Sequence, residues 1–181
     1  MKKIILALTT VSLIACNQAE QKTESPATTT PSSVPTDMQG YTAAYSADFS
    51  IGDPAQSAAI LSLWRDYEKG DLKASRPHFA DSMTMFTADG SMMSGPSDSM
   101  IAGVQQYRNM FSSMTTRIDA IVPLKSNDHN ENWVCVWGTE FGTINGKLDS
   151  TYLQETWRFN KDGKVDLLYQ YMRPGTAKTM K

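Results

Sequence analysis

The chain has 181 residues and a mass of 20.0 kDa, which suits one domain with a short appendage. Its 17 basic residues stand against 19 acidic ones, so it lacks the basic surplus of a nucleic-acid binder, and no nucleic-acid partner is expected. A mean hydropathy of −0.38 excludes a polytopic membrane protein, and two cysteines with two histidines leave too little for a Cys/His metal site or a disulfide framework, so neither metal nor cofactor is expected.

Chain order begins with an address. Lys2 and Lys3 precede an apolar stretch, Ile4 to Ile14, that is too short to span a bilayer and reads as the core of a signal peptide over residues 1–15. It ends in Leu13-Ile14-Ala15-Cys16. This tetrapeptide resembles the lipobox of bacterial lipoproteins, which implies cleavage before Cys16, lipidation of its thiol and attachment to a membrane through the acyl chains. Asn17 stands where an Asp would resemble an inner-membrane retention signal. The resemblance therefore implies the outer membrane of a bacterial envelope, facing the periplasm. Losing Lys2 and Lys3 makes the mature chain more acidic, so its membrane attachment is expected to rest on lipid alone.

A tether is expected over residues 16–51. From Lys22 to Thr36, eleven of fifteen residues are Ser, Thr or Pro, a composition that buries too little apolar surface to offset its ordering entropy. Tyr41, Tyr45 and Phe49 then recur every four residues. Two readings are open: a helical turn docked on the domain, or a loosely ordered continuation of the tether.

The domain is expected over residues 52–174, with a short tail over 175–181. Asp53-Pro54 starts a helix, with Asp as cap and Pro at the first helical position. Ile60, Leu61, Trp64 and Tyr67 share one face, and Gly70 stops it. Asp71 can cap a short second helix running to Phe79, with Pro77 inside it. Met83 to Thr87 reads as a strand and Asp89-Gly90 as its turn. Ser97 is expected to cap a third helix burying Ile101, Val104, Tyr107 or Arg108, Phe111 and Met114.

The period then changes to two. Strands are expected over Thr116–Lys125, Trp133–Ile144, Leu148–Phe159 and Lys164–Met172, with the second and third joined by the Asn145-Gly146 hairpin. Trp133, Cys135, Trp137, Thr139 and Phe141 share one face of their strand. Leu153, Glu155, Trp157 and Phe159 share one face of the next, and Val165, Leu167, Tyr169 and Tyr171 of the last. Helices followed by an antiparallel meander make an α+β domain.

These features resemble the NTF2-like (SnoaL-like) superfamily. The resemblance rests on Trp64, Tyr67, Gly70-Asp71, Phe79-Ala80-Asp81, the strand Met83 to Thr87, Gly90, Gly95 and the closing Trp157-Arg158-Phe159 with Asp162-Gly163-Lys164. It implies a cone of curved antiparallel sheet wrapped around N-terminal helices, with a pocket inside. Enzymes of this group, such as ketosteroid isomerases and polyketide cyclases, use a pocket carboxylate as proton shuttle, which burial tunes. At the matched positions of base and phenol donor this chain has Thr87 and Leu63, neither of which can serve. The reading therefore leans away from an enzyme.

Several side chains remain as candidates. Glu155 lies among apolar neighbours, which is costly unless it is paired, with Arg108, Arg173 or a Tyr hydroxyl as partner, or functional. Asp89 is either a turn former or a displaced acid. Glu140 alternates with the aromatic series and is placed on the opposite face from it. Cys135 reads as a buried, inert thiol, His78 as a surface or capping imidazole, and His129 as a solvated loop residue. Seven methionines fall between Met83 and Met114: Met83, Met85, Met92, Met93, Met100, Met110 and Met114. Thioethers fill cores or line pockets and can also bind Cu(I). The expected pocket lining is Trp64, Tyr67, Met83, Met85, Thr87, Trp137, Glu155, Trp157, Tyr169 and Tyr171, a wall suited to an apolar or aromatic small molecule. Three functions stand open: a non-catalytic binding or scaffold module, an isomerase- or cyclase-like enzyme using Glu155 or Asp89, and a homodimeric interaction module.

Overall fold

The first structured helix is bounded by the residues that the sequence supplies for that purpose. In a computed structural model that describes residues 37–175, α1 runs Pro54–Lys69. The Asp53 carboxylate accepts from the Ala55 N–H at 2.8 Å, and Gly70 takes the left-handed conformation (φ 77°) that ends the helix. Its buried face is Ile60, Leu63 and Trp64, so Leu63 rather than Leu61 completes the stripe. The short second helix is a 3₁₀ segment, Leu72–His78. Asp71 makes no side-chain cap there, because three-residue turns accommodate Pro77 at its end without an α-helical start.

The strands are β1 Phe49–Ile51, β2 Phe79–Phe86, β3 Met92–Pro96, β4 Ser113–Ser126, β5 Glu131–Ile144, β6 Lys147–Phe159 and β7 Val165–Pro174, and α2 runs Ser97–Arg108. They form one curved, unclosed sheet in the order β1-β4-β5-β6-β7-β2-β3. All pairs are antiparallel except β2 with β7. Asn145-Gly146 makes the β5–β6 turn, both residues at positive φ. Register shifts sit at Asp119 in β4 and at Asp166 in β7, and such bulges bend a sheet.

Three boundaries differ from expectation. Residues 49–51, assigned to the tether, form β1, which pairs with Leu124–Ser126 of β4. The segment before β1 is neither helical nor loose: the Tyr45 ring stacks on His129 (4.4 Å between centroids) and its hydroxyl donates to the Glu131 carboxylate. Asn127 reaches the Asp48 carboxylate at 2.8 Å, so the 126–131 loop, exposed as expected, also clamps the segment before β1. In α2, Ser97 is not a cap. It is the first helical residue, fully buried and without a hydrogen-bond partner for its hydroxyl. The helix ends at Arg108, which is buried while Tyr107 is exposed. Phe111 follows in a loop and Met114 belongs to β4.

The core lies between α1, α2 and the inner face of the sheet. Ile60, Leu63 and Trp64 meet Val134, Val136, Leu153, Trp157 and Phe159, with Met83 and Met85 from β2. No helix among the described residues is long and apolar enough to cross a membrane. The expected leader (1–15), the lipidated Cys16, the tether up to residue 36 and most of the tail lie outside the described residues.

Candidate functional site

Strand register decides which residues meet. Val136 pairs with Glu155, Gly138 with Leu153 and Glu140 with Thr151, so these six point to the side that α1 covers. Trp133, Cys135, Trp137, Thr139 and Phe141 point the other way, as do Gln154, Thr156 and Arg158 from β6. The aromatic series of β5 thus faces outward, which reverses the expected sense. Glu140 is on the opposite face from it, as expected, but that face is the interior. In β7 the extra residue Asp166 splits the expected stripe: Val165 packs inward against Phe159, whereas Leu167, Tyr169 and Tyr171 face outward.

Inside, Glu155 is enclosed, with 6% of its surface exposed. One carboxyl oxygen accepts from the indole N–H of Trp64 at 2.8 Å and of Trp157 at 3.2 Å. The other accepts from the Gln170 amide at 2.9 Å. Neither Arg108 nor Arg173 is a partner, which corrects the expected pairing. Arg108 instead donates to the Tyr67, Glu68 and Phe111 carbonyls at 2.8, 2.7 and 3.1 Å. A cation at the C-terminal end of α1 satisfies orphan carbonyls and opposes the helix dipole. Burial pushes the Glu155 carboxyl above its usual range, and three neutral donors only partly offset that. Glu140 is pushed up to about 8, chiefly by burial and then by Glu155, against a lowering by Arg108. Burial and the nearby Glu140 likewise raise the Tyr67 hydroxyl. Both inner-face carboxyl groups are therefore displaced upward, Glu140 to about 8.

Gly138 is what lets this arrangement form. A Cβ there would lie 2.7 Å from the Trp64 ring, so only glycine allows the indole to lie against β5 and reach Glu155. Sequence reasoning passed over Gly138 and Gln170. The signal for Gly138 was a lone glycine in a strand otherwise rich in aromatic and β-branched residues. Gln170 had only its parity with Leu168.

Of the expected pocket wall, Trp64, Tyr67, Met83, Met85, Glu155 and Trp157 gather on the inner side as packed core. Trp137, Tyr169 and Tyr171 do not join them. Thr87 follows β2, and its hydroxyl donates to Asp89 at 2.6 Å. Asp89 is exposed and held down to about 2 by Thr87 and Ser91, so it is a turn carboxylate and not a pocket acid. His78 is half-buried beside β2. The methionines divide: Met83, Met85 and Met114 are buried, Met100 packs on the core, and Met92, Met93 and Met110 are exposed. Among the described residues no group of His, Cys, Asp or Glu could hold a metal.

Two open clefts, of about 340 and 360 Å³, lie on the outer face. The first lies between Trp137, Tyr152, Tyr171 and Arg173. The second lies between Tyr45, Phe49, Trp133 and Tyr169, with Cys135 and Thr156 in its floor. They share Gln154 and Tyr171 and so form one trough. Cys135 is half-buried there, 3.7 Å from the Thr156 hydroxyl, rather than sealed in the core.

No family model matches the sequence, and no curated protein matches it. Solved structures do match. AusH from Aspergillus nidulans superposes with a TM-score of 0.56 at 15% identity, over 71% of this chain and 90% of that one. SalBIII, described as an epoxide hydrolase/cyclase-like enzyme in pyran ring formation in the polyether salinomycin, gives 0.52 at 14%, over 66% and 91%. A SnoaL-like protein of unknown function from Burkholderia thailandensis gives 0.52 at 14%, over 68% and 99%. The domain therefore has the NTF2-like fold that the sequence features implied. At these identities the likeness speaks of fold alone.

Proposed function

We propose that this chain is a lipid-anchored protein of the bacterial envelope whose NTF2-like domain binds a ligand or partner without transforming it, through the outer face of its sheet. The anchor rests on the run from Lys2 to Cys16, and Asn17 favours the outer membrane. The observation that carries the binding reading is the contrast between a sealed interior and an open exterior. Glu155 is enclosed, its two carboxyl oxygens taken up by Trp64, Trp157 and Gln170, whereas the trough is open and aromatic. Thr87 and Leu63, at the positions matched to the isomerase base and phenol, support the same reading, since one has no basic group and the other no hydroxyl.

Two measurements test it. Cys16→Ser is expected to abolish acyl labelling and release the chain from the membrane fraction. Native mass spectrometry of the chain, extracted gently, is expected to show a retained mass, lost on denaturation and reduced by Trp137→Ala. Proton-transfer activity that disappears in Glu155→Gln would overturn the reading.

A second reading keeps one specific observation. General acid–base work favours a carboxyl tuned towards neutrality, and burial with the neighbouring Glu155 pushes Glu140 up to about 8. SalBIII shows that the fold hosts cyclase-like chemistry in another protein. Under this reading Glu140, half-buried at the inner face, is the proton shuttle and Glu155 its enclosed neighbour, and Glu140→Gln abolishes turnover with the fold intact.

A further inference from the structure

Two arginines stand in one row across the outer face of the sheet. The register places Arg117 of β4 beside Thr139, Thr139 beside Tyr152, and Tyr152 beside Arg173 of β7. The two are satisfied differently. Arg117 holds the Asp119 carboxylate at 2.8 Å and donates to the Thr139 hydroxyl at 3.1 Å. Arg76 and Arg158 likewise hold carboxylates. Arg173 instead lies over the Tyr152 ring, 3.9 Å from its centroid, and among the described residues no carboxylate lies within ion-pair distance of it. This exposed guanidinium lines the first cleft, of about 340 Å³.

We infer that the first cleft binds an aryl monocarboxylate, a small molecule with one carboxylate on a planar apolar body, an inference that rests on the outer-face reading of function. The free guanidinium is the first argument. Its plane can stack on a ring while its N–H groups, which lie in that plane, stay available. Tyr152 takes the face of Arg173 and leaves the fork of donors unspent, and a carboxylate matches that fork with two parallel hydrogen bonds. The body of the ligand is the second. In the neighbouring row Trp137, with 39% of its surface exposed, and Tyr171, with 59%, flank Gln154. Open aromatic faces beside a cation suit a flat ring that carries an acid, and the volume suits a small molecule. Charge count is the third. Asp119 lines the same cleft and is neutralised by Arg117, so Arg173 supplies one net positive charge. One cation matches a monoanion. A phosphate dianion would bring a second negative charge towards Asp119 with no second cation to meet it, and a neutral ligand would leave the fork to water.

The test titrates the full lipidated chain, in mild detergent, with 2-naphthoate and with its neutral counterpart 2-naphthamide, by isothermal calorimetry. Saturable binding of the acid, about tenfold tighter than of the amide, is expected. Arg173→Ala removes that preference. Arg173→Lys recovers little of it, because an ammonium keeps the charge without the planar fork. Trp137→Ala weakens both ligands together. Arg65→Ala, which removes the same charge from an exposed position on α1, leaves binding unchanged. All these positions are exposed, so circular dichroism is expected to match the parent, and uptake by micelles is common to parent and variants. Equal binding of acid and amide overturns the inference, as does a preference that survives Arg173→Ala, or no binding of either at millimolar concentration. If the acid fails in one of these ways while Trp137→Ala still reduces the retained mass of the native chain, the carboxylate falls and the outer-face reading stands. A retained mass untouched by Trp137→Ala and Arg173→Ala removes the outer-face reading itself.

Discussion

The two faces of β5, β6 and β7 are written in alternate residues of the same segments, yet they follow opposite rules. On the inner face small residues dominate β5, with Val134, Val136 and Gly138, because α1 comes close enough for the Trp64 ring to touch the strand. On the outer face the same strand carries Trp133 and Phe141, both buried, and Trp137, which is exposed, with Trp133 leaning on Tyr45 and Tyr169. The lesson concerns polar groups. The interior surrounds its enclosed carboxyl, Glu155, with neutral donors, whereas the exterior pairs charges, Arg158 with Asp166 and Arg117 with Asp119.

The contrast can be broken most forcefully with one tryptophan from each face. Trp64→Ala is expected to cost about 3–5 kcal/mol, since it opens a cavity and strips a donor from Glu155. Trp137→Ala on the outer face is expected to stay within about 0.5 kcal/mol. Urea unfolding of the two variants, with equal slopes, measures the difference. Equal losses would mean that the outer face is also core.

A smaller effect is expected from Gly138→Ala. The new methyl meets the Trp64 ring at 2.7 Å and the Arg117 carbonyl at 2.8 Å, and overpacking of this kind costs about 1–3 kcal/mol. The same unfolding experiment checks it, and an unchanged midpoint would show that α1 can shift away from β5.

pH sharpens the comparison in another way. Burial and the neighbouring Glu155 push the Glu140 carboxyl from its ordinary value of 4.5 up to about 8 in the folded chain, so the folded state holds the proton more tightly. Stability from this group is full below about pH 4.5 and is lost as pH rises to about 8. Glu155 acts in the same direction. The thermal midpoint is expected to fall across that window, by at least the equivalent of one pK shift, about 1.4 kcal/mol. The Glu140→Gln and Glu155→Gln double variant flattens the slope. A midpoint that rises with pH would contradict protonated interior carboxyls.

The smallest effect belongs to Cys135→Ser. The thiol sits half-buried in the outer slot with Thr156 as neighbour, and an isosteric polar replacement is expected to change stability by less than about 0.5 kcal/mol. Its reaction with a maleimide in the folded chain gives a second check, since a core thiol would react only on unfolding.

Local chemistry was sufficient wherever a feature depends on neighbours in the chain. Asp53-Pro54 and Gly70 bound α1, and Asn145-Gly146 turns β5 into β6, because caps and positive-φ turns are closed by residues a few positions apart. The helix-then-meander order and the features carried by Trp64, Gly70-Asp71 and Trp157-Arg158-Phe159 sufficed for the NTF2-like fold. The periodicity of two in β5 was equally plain, but a period says which residues share a face and not which face is covered. Both series of β5 are apolar, so hydrophobicity alone could not choose between them. The choice fell to where α1 lies, a contact between residues 64 and 138, and to the single bulge at Asp166 that turned Leu167, Tyr169 and Tyr171 outward. Those are long-range and one-residue events, and they moved three expected pocket residues to the outside and brought Glu140 to the inside.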